Sequence, residues 1–250
     1  MSCAPCARRE GEALATLVLL HGAWHGGWCW AGVAARLRAA GHLVTTPTQT
    51  GLGERRREMS RDITLETFGT DLLEHLFFED LSDVVLVGHS FGGNAVSIAA
   101  ERAPERLRRL VYLDALILEG GESGLSRVPG EVAAARRAAA EAHDGGVSIP
   151  PPPAEGFGIE DPALAAALAA RLTPHPLGAY DSPLPIAGAP GGGLPAVYVR
   201  CTAPVYAPLV ASAERARGYG WETIDLAAGH DAMWTAPEAT AALLAAEAAK

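Results

Sequence analysis

Positive charge is scarce in this sequence. Lysine and arginine together number 20 against 29 aspartates and glutamates, which gives a formal net charge of −9 and an isoelectric point near 5.4. A protein that binds nucleic acid needs a basic surface to meet the phosphates, so we expect no nucleic-acid partner. The cluster of arginines in ERRRE, at 54–58, is flanked by acids and is typical of a solvated loop.

Cysteine is scarce as well. Four cysteines in 250 residues do not form the dense pattern of a disulfide framework. Cys3 and Cys6 form a C-x-x-C pair without the second pair that a structural zinc site needs, and Cys29 and Cys201 are predicted to be buried apolar thiols. The sequence also lacks a phosphate-binding loop, a dinucleotide fingerprint and a cluster of metal ligands. We therefore expect neither a cofactor nor a metal.

Long apolar runs are missing too. No run approaches the roughly 20 residues that cross a bilayer. The N-terminal stretch has no apolar segment followed by the small residues of a signal-peptide cleavage site. These absences favour a cytoplasmic protein with no membrane partner. They do not decide between a monomer and a homodimer.

What the sequence does have is a regular alternation of apolar strands and helical segments. With 250 residues, 49% of them hydrophobic, the chain is large enough for one domain with a full core. Single helices between consecutive strands predict an α/β fold, a mostly parallel sheet flanked by helices. The predicted strands lie at 13–22, 42–49, 83–88, 106–118, 194–202 and 221–229. The predicted helices of this core lie at 27–41, 63–79, 90–104, 206–218 and 237–250.

Residues 119–193 interrupt this alternation. They hold two alanine-rich helical patterns, at 130–143 and 161–172, with stretches dense in proline and glycine between and after them. A structureless loop of this length is uncommon in a compact domain. We therefore predict a helical cap at 119–193, inserted between strands of a core made of 1–118 and 194–250. A long mobile linker is the alternative.

The segment VVLVGHSFGGNAV, at 84–96, indicates the chemistry. Gly88 to Gly92 fit the pattern G-x-S-x-G between a predicted strand and a predicted helix, which is the setting of a nucleophile elbow. The turn residue of such a bend is strained, and flanking glycines keep side chains from colliding there. Ser90 is thus the predicted nucleophile. The alternative is a glycine-rich helix start in which Ser90 is only an N-cap.

A serine nucleophile needs a base, and its oxyanion intermediate needs two hydrogen-bond donors. His230 follows the last predicted strand, where the base of this arrangement belongs. The backbone N–H groups of Phe91, next after Ser90, and of Ala23, in the loop after the first strand, are the predicted oxyanion donors. His21 is expected to stabilise that loop by a hydrogen bond.

Four segments, LVLLHGAWHGGWCW, PTQTGLGER, VVLVGHSFGGNAV and GHDAMWTAPE, together resemble the α/β-hydrolase superfamily. The resemblance is nearest to the branch of plant methylesterases, hydroxynitrile lyases and bacterial esterases. The lyases that this chain resembles carry threonine after the first-strand histidine and lysine after the catalytic histidine. Here those positions hold Gly22 and Asp231. The resemblance therefore implies the α/β-hydrolase fold and ester hydrolysis rather than cyanohydrin cleavage.

The family's usual acid follows the second-last strand, but no carboxylate occurs at 198–213 of this sequence. Asp114 interrupts the apolar strand after the elbow, near the sheet edge where such active sites open. A buried carboxylate needs a partner, and some α/β-hydrolases take their acid from this strand. We therefore predict that Asp114 orients His230. Asp225 and Asp231 are the fallback acids, and capping of nearby N–H groups is the alternative role of Asp114.

Aromatic residues are few, 6% of the chain, but three tryptophans lie beside the predicted site in sequence. Trp24, Trp28 and Trp234 are predicted to line an apolar substrate pocket. Trp28 fits the hydrophobic core equally well, and Trp30, at helical spacing, is predicted to be core. The cap holds few aromatic residues and so says little about specificity.

Together these features predict a serine hydrolase that cleaves a small or medium apolar carboxylic ester through an acyl-enzyme. The same site would also serve a biosynthetic thioesterase, lactonase or cyclase. A ligand-binding protein on a hydrolase scaffold is the third reading. The missing acid at the usual position supports that reading, and the intact Ser90 and His230 oppose it.

Overall fold

The structure, a computed structural model, describes residues 14–250. The predicted C-x-x-C pair, Cys3 and Cys6, lies outside these residues. The described strands are β1 Thr16–Leu20, β2 Leu43–Thr45, β3 Val84–His89, β4 Leu107–Leu113, β5 Ser148–Ile149, β6 His175–Pro176, β7 Ala196–Cys201 and β8 Glu222–Leu226. The described α-helices are α1 Ala31–Ala39, α2 Leu65–Phe78, α3 Gly93–Arg102, α4 Gly130–Asp144, α5 Pro162–Ala169, α6 Leu177–Asp181, α7 Val210–Gly218, α8 Ala232–Thr235 and α9 Pro237–Ala248.

Six strands form one sheet, and every pairing in it is parallel. The strand order is β2-β1-β3-β4-β7-β8, so β3 and β4 lie at its centre. Each crossover between neighbouring parallel strands passes through at least one helix, as the alternating sequence pattern predicts. The carboxyl ends of β3, β4, β7 and β8 therefore meet along one edge of the sheet.

The sheet separates two hydrophobic cores. Side chains of β3 alternate between them: Leu86 packs with residues of α2 and α3, whereas Val85 and Val87 pack with residues of α1 and α9. All six residues of β3 are buried, which explains why this strand is apolar at successive positions rather than at every second one. Helices on both faces thus fix the position of the strand that leads to Ser90.

Residues 119–193 contribute no strand to the six-stranded sheet. They contain α4, α5 and α6, together with an antiparallel pair formed by β5 and β6. The indole N–H of Trp24 donates to the carbonyl of Ile149 in this segment at 3.1 Å. Near the end of the segment, Ser182 Oγ accepts a hydrogen bond from the N–H of Leu65 at 2.9 Å. The insertion is therefore tied to the core at both the loop after β1 and the start of α2.

Five of the six predicted strands are longer than the observed ones, and the strand predicted at 83–88 equals β3 in length. The pattern at 221–229 predicts strand throughout, but β8 ends at Leu226 and the next residues form a loop. The helix predicted at 27–41 begins as a 3-10 turn, Gly27–Trp30, before α1. An apolar run in the sequence indicates which residues are buried. Residues can stay buried beyond the last one that pairs with a neighbouring strand, so the run is longer than the strand.

Cys29 and Cys201 are free and buried, as predicted. Burial raises the pKa of both thiols, which keeps them protonated and unreactive. Among the helices within residues 14–250, none combines the length and the apolar character needed to cross a membrane.

Strand β3 and helix α3 approach so closely that position 88 has no room for a side chain. A Cβ at Gly88 would lie 2.6 Å from Val96 Cγ2 and 3.0 Å from the backbone N and Cα of Gly93. We expect Gly88→Ala to lower the free energy of unfolding by about 1–3 kcal/mol, because backbone cannot move aside. Gly218→Ala, where a Cβ meets nothing within 4 Å, is the matched control in a urea titration. Equal stabilities of the two variants would contradict this account.

Candidate active site

The chain bends sharply at Ser90, directly after β3. Ser90 has a φ of 52°, in the left-handed region that residues other than glycine rarely adopt. A 3-10 turn, Ser90–Gly92, leads from this bend into α3. The carbonyl of Ser90 accepts a hydrogen bond from the N–H of Leu116 at 2.9 Å, which ties the bend to the loop after β4.

The Ser90 hydroxyl lies next to His230, and His230 lies next to Asp114. Ser90 Oγ is 3.0 Å from His230 Nε2, and His230 Nδ1 is 2.7 Å from Asp114 Oδ2. A carboxylate only accepts, so Nδ1 carries the proton and Nε2 is free to accept from the serine hydroxyl. Asp114 Oδ1 accepts a further hydrogen bond from the N–H of Cys201 at 3.3 Å. The three predicted side chains are thus in hydrogen-bond contact.

Neither fallback acid contacts the His230 ring. Asp225 is exposed on β8 and forms an ion pair with Arg200 at 2.7 Å. Asp231 is buried, but its carboxylate lies 3.2 Å from His25 Nε2. Asp114 and His230 are each 3% exposed, so the Asp114 carboxylate is satisfied by the protein contacts given above rather than by bulk water.

The ring of Tyr206 stacks on the ring of His230. Their rings stack with centroids 4.2 Å apart at an angle of 20°. Burial raises the pKa of Tyr206, so its hydroxyl stays protonated. Sequence reasoning missed Tyr206, although it follows β7 and so belongs to the sheet edge at which the site lies.

The loop after β1 lies against Ser90. A Cβ at Gly22 would be only 2.7 Å from Ser90 Cβ, so no larger residue fits there. Ala23 and Phe91 line the same cavity as Ser90, and neither of their N–H groups donates to a backbone carbonyl in the turns and loops of residues 14–250.

His21 stabilises this loop by hydrogen bonds, as predicted. Its Nδ1 donates to the carbonyl of Gly22 at 2.8 Å, and its Nε2 accepts from the N–H of Gln49 at 3.1 Å. Burial lowers the pKa of His21 to about 3, which keeps the ring neutral. The two hydrogen bonds then fix one tautomer of the ring.

A small cavity of about 50 Å³ lies beside Ser90, and a groove of about 610 Å³ lies next to it. Three residues, Trp24, Arg136 and Tyr206, line both spaces. Arg136 places its guanidinium 5.0 Å from the centre of the Tyr180 ring. The remaining cavity walls are Ala23, His25, His89, Phe91, Leu116, Gly124, Arg127, Val128, Phe157, Tyr180, Pro208, Leu209 and His230. The groove is lined largely by aliphatic side chains and prolines of the insertion.

Two of the three tryptophans predicted to line the pocket do not line it. Trp28 and Trp234 pack against each other, with ring centroids 5.6 Å apart, and Arg171 lies over both rings. Trp28 also stacks on His25, so it lies behind the loop rather than in the cavity. Of the three, only Trp24 lines the cavity and the groove, and it has a φ of 64°. Their positions in the sequence place these rings near the site but do not determine which way each side chain points.

Three side chains near the site have the spacing of metal ligands: His89, His230 and Asp231 offer atoms within 4.8 Å of one another. Most of their donor atoms are already engaged, although His89 Nδ1 and Asp231 Oδ1 have no hydrogen-bond partner among the described residues. His230 uses both ring nitrogens on Asp114 and Ser90, and His89 Nε2 donates to the carbonyl of His230 at 2.9 Å. The arrangement fits a hydrogen-bonded site better than a metal centre.

The family model "Alpha/beta hydrolase family" matches residues 17–243. The chain therefore belongs to the alpha/beta hydrolase family, and the fold expected from the sequence is confirmed. A solved extracellular alpha/beta-hydrolase from a Paenibacillus species shares this fold with a TM-score of 0.80 and 25% identity, over 94% of this chain and 99% of that one.

Within the family, the chain is an esterase. It is 38% identical over 243 residues to a carbendazim hydrolyzing esterase of Nocardioides sp., which covers 93% of this chain and 99% of the relative. A putative chloroplastic methylesterase of Arabidopsis thaliana is 34% identical over 162 residues, 62% of this chain and 45% of that protein. The predicted likeness to bacterial esterases and plant methylesterases is confirmed.

Replacing Asp114 tests the assignment of the acid. We expect Asp114→Asn to lower kcat by about 10³–10⁴-fold, because the amide no longer holds the Nδ1–H tautomer of His230. Asp225→Asn is the matched control, since Asp225 lies in an exposed ion pair, and it should retain nearly full activity. Steady-state hydrolysis of p-nitrophenyl acetate measures both. An active Asp114→Asn enzyme would mean that the acid lies elsewhere.

Buried histidines make the stability of the protein depend on pH. Burial lowers the pKa of His21, His89 and His175, so below pH 6.5 the unfolded chain takes up protons that the native state does not. We expect the free energy of unfolding to fall as the pH drops from 6.5 to 5, with a slope for each such histidine that rises from about 0.7 toward about 1.4 kcal/mol per pH unit as the unfolded chain becomes protonated. His25, whose pKa is raised, binds more proton in the native state than in the unfolded chain near pH 6.5, so it opposes this fall there and contributes little near pH 5.

Urea titrations at pH 6.5, 5.75 and 5 measure this slope. His175→Phe removes one buried histidine from an aromatic environment and should make the slope shallower. His143→Gln, on the exposed face of α4, should leave it unchanged. A stability that stays constant from pH 6.5 to 5 would contradict the neutral assignment of these rings.

Proposed function

We propose that this esterase cleaves carboxylic esters through an acyl-enzyme formed on Ser90. The observation that carries the proposal is the chain of contacts from Ser90 Oγ to His230 Nε2, at 3.0 Å, and from His230 Nδ1 to Asp114, at 2.7 Å. Ser90 attacks the ester carbonyl carbon while His230 Nε2 takes the hydroxyl proton. Asp114 holds the ring and stabilises the imidazolium that forms.

The negative charge that develops on the carbonyl oxygen needs donors that are already in place. The N–H groups of Ala23 and Phe91 lie beside Ser90 and have no backbone acceptor of their own among the turns and loops described. They are the proposed oxyanion hole. Ser90 also lies at the start of a helical turn, where backbone N–H groups favour negative charge.

The second half of the reaction uses the same groups. Collapse of the tetrahedral intermediate breaks the bond to the alcohol, which leaves with the proton held by His230. A water molecule then attacks the acyl-enzyme and gives its proton to His230. Cleavage of the acyl–Ser90 bond returns that proton to the serine and releases the acid.

The shape of the site supports an ester with one small and one larger apolar part. The space beside Ser90 is about 50 Å³, whereas the groove outside it is about 610 Å³ and mainly apolar. The relatives named as methylesterases fit a small group on one side of the scissile bond. We infer that the small group enters the cavity and the larger part lies in the groove.

Labelling with a fluorophosphonate tests the nucleophile. We expect stoichiometric modification of the folded enzyme at Ser90, found by mass spectrometry, together with a burst of p-nitrophenol equal to the enzyme concentration when acylation outpaces deacylation. Ser90→Ala should abolish both, and Ser97→Ala, a buried serine on α3, is the control that should keep both. No labelling of folded protein would refute the acyl-enzyme. Faster turnover of thioesters or lactones than of esters would mean that these compounds, and not esters, are the substrate class.

A further inference from the structure

A second buried histidine–carboxylate pair lies behind the one that contains His230. His25 Nε2 is 3.2 Å from Asp231 Oδ2, and the two side chains are 1% and 0% exposed. The reaction described above uses neither residue. Burying a charged pair lowers the free energy of unfolding unless its hydrogen bonds are well satisfied, so we expect this pair to have a function.

The contacts of His25 require protons on both ring nitrogens. Its Nδ1 is 2.7 Å from the carbonyl oxygen of Ala23, which can only accept a hydrogen bond. Its Nε2 faces the carboxylate of Asp231, which also accepts. Burial lowers the pKa of His25, but the charge of Asp231 and the hydrogen bonds to Asp231 and to the Ala23 carbonyl together outweigh this effect and raise the pKa above its ordinary value. His25 is therefore an imidazolium paired with an ionised Asp231.

This imidazolium holds one of two successive peptide groups around Ala23. The peptide from Ala23 to Trp24 is bound at both edges, since its carbonyl accepts from His25 and its N–H donates to His175 Nδ1 at 3.4 Å. Trp24, with a φ of 64°, needs such support, because a bulky residue rarely adopts this conformation. The conformation of Trp24 is thus maintained by its neighbours.

The preceding peptide carries the proposed oxyanion donor. Its carbonyl, that of Gly22, accepts from His21, and in a planar trans peptide the N–H of Ala23 points the opposite way. The two peptides meet at the Cα of Ala23. His21 therefore sets the plane of the N–H, and His25 holds the far side of the residue that carries it.

We propose that the His25–Asp231 ion pair is a positioning device for the oxyanion hole. His25 fixes the conformation of the loop after β1. Asp231, which follows His230 directly, connects that loop to the loop that carries His230. One ion pair thus sets the oxyanion donor and the base relative to each other. This inference rests on the proposed function, because it assigns its effect to the oxyanion donor.

Asp231→Asn tests the pair. The amide keeps the shape of Asp231 but removes its charge, so His25 becomes neutral and can no longer donate to both the Ala23 carbonyl and residue 231. We expect kcat to fall about 10–100-fold with KM changed less than about threefold, a smaller loss than removal of an oxyanion donor. The affinity for a trifluoromethyl ketone, whose hemiketal oxyanion on Ser90 occupies the oxyanion hole, should fall in parallel with kcat/KM.

His25→Gln is the second variant, and it keeps an N–H for Asp231 while losing the donor to Ala23. It should show the same parallel loss, and Asp225→Asn should show none. ¹⁵N NMR of the unmodified enzyme at pH 7.5 should find both ring nitrogens of His25 protonated. A neutral His25, or variants that lose activity without losing affinity for the ketone, would overturn the proposal. An active Ser90→Ala enzyme would instead refute the proposed function, and the NMR result would still test the charge of His25.

Discussion

The hydrogen bond between Asp114 and His230 is the contact on which the geometry of this site depends. Asp114 follows β4 and His230 follows β8, with β7 between them in the sheet. The same carboxylate accepts the N–H of Cys201 at the end of β7. One side chain therefore joins the ends of three strands, and it does so beside the strand that leads to Ser90. The chemistry is possible because a parallel sheet brings distant parts of the chain to one edge.

Most of the fold and the central residues of the site could be predicted because their signals are local. The G-x-S-x-G bend needs only a strand before Ser90 and a helix after it, and His230 needs only a position after the last strand. Asp114 was predictable for a different reason, since a carboxylate inside an apolar strand must have a partner. Each of these arguments uses residues that are close together in the sequence.

The parts that sequence reasoning missed depend on the direction of side chains. Trp28 and Trp234 are close to the site along the chain, but they turn toward each other and Arg171. His25 has no local signal for a positive charge, because its partner Asp231 lies 206 positions away. Tyr206 likewise gains its place over His230 only once β7 and β8 are paired. Such contacts follow from tertiary packing, which no periodicity in the sequence records.

The position of the acid has a consequence for how this scaffold can diversify. Asp114, directly after β4, gives His230 Nδ1 a carboxylate, and residues 202–213 after β7 carry none. The loop after β7 instead places Tyr206 over His230 and Pro208 and Leu209 on the cavity wall. Substitutions at Pro208 or Leu209 can therefore reshape the cavity wall without removing Ser90, His230 or Asp114. The carboxylate and this part of the wall come from the ends of different strands, so each can change without the other.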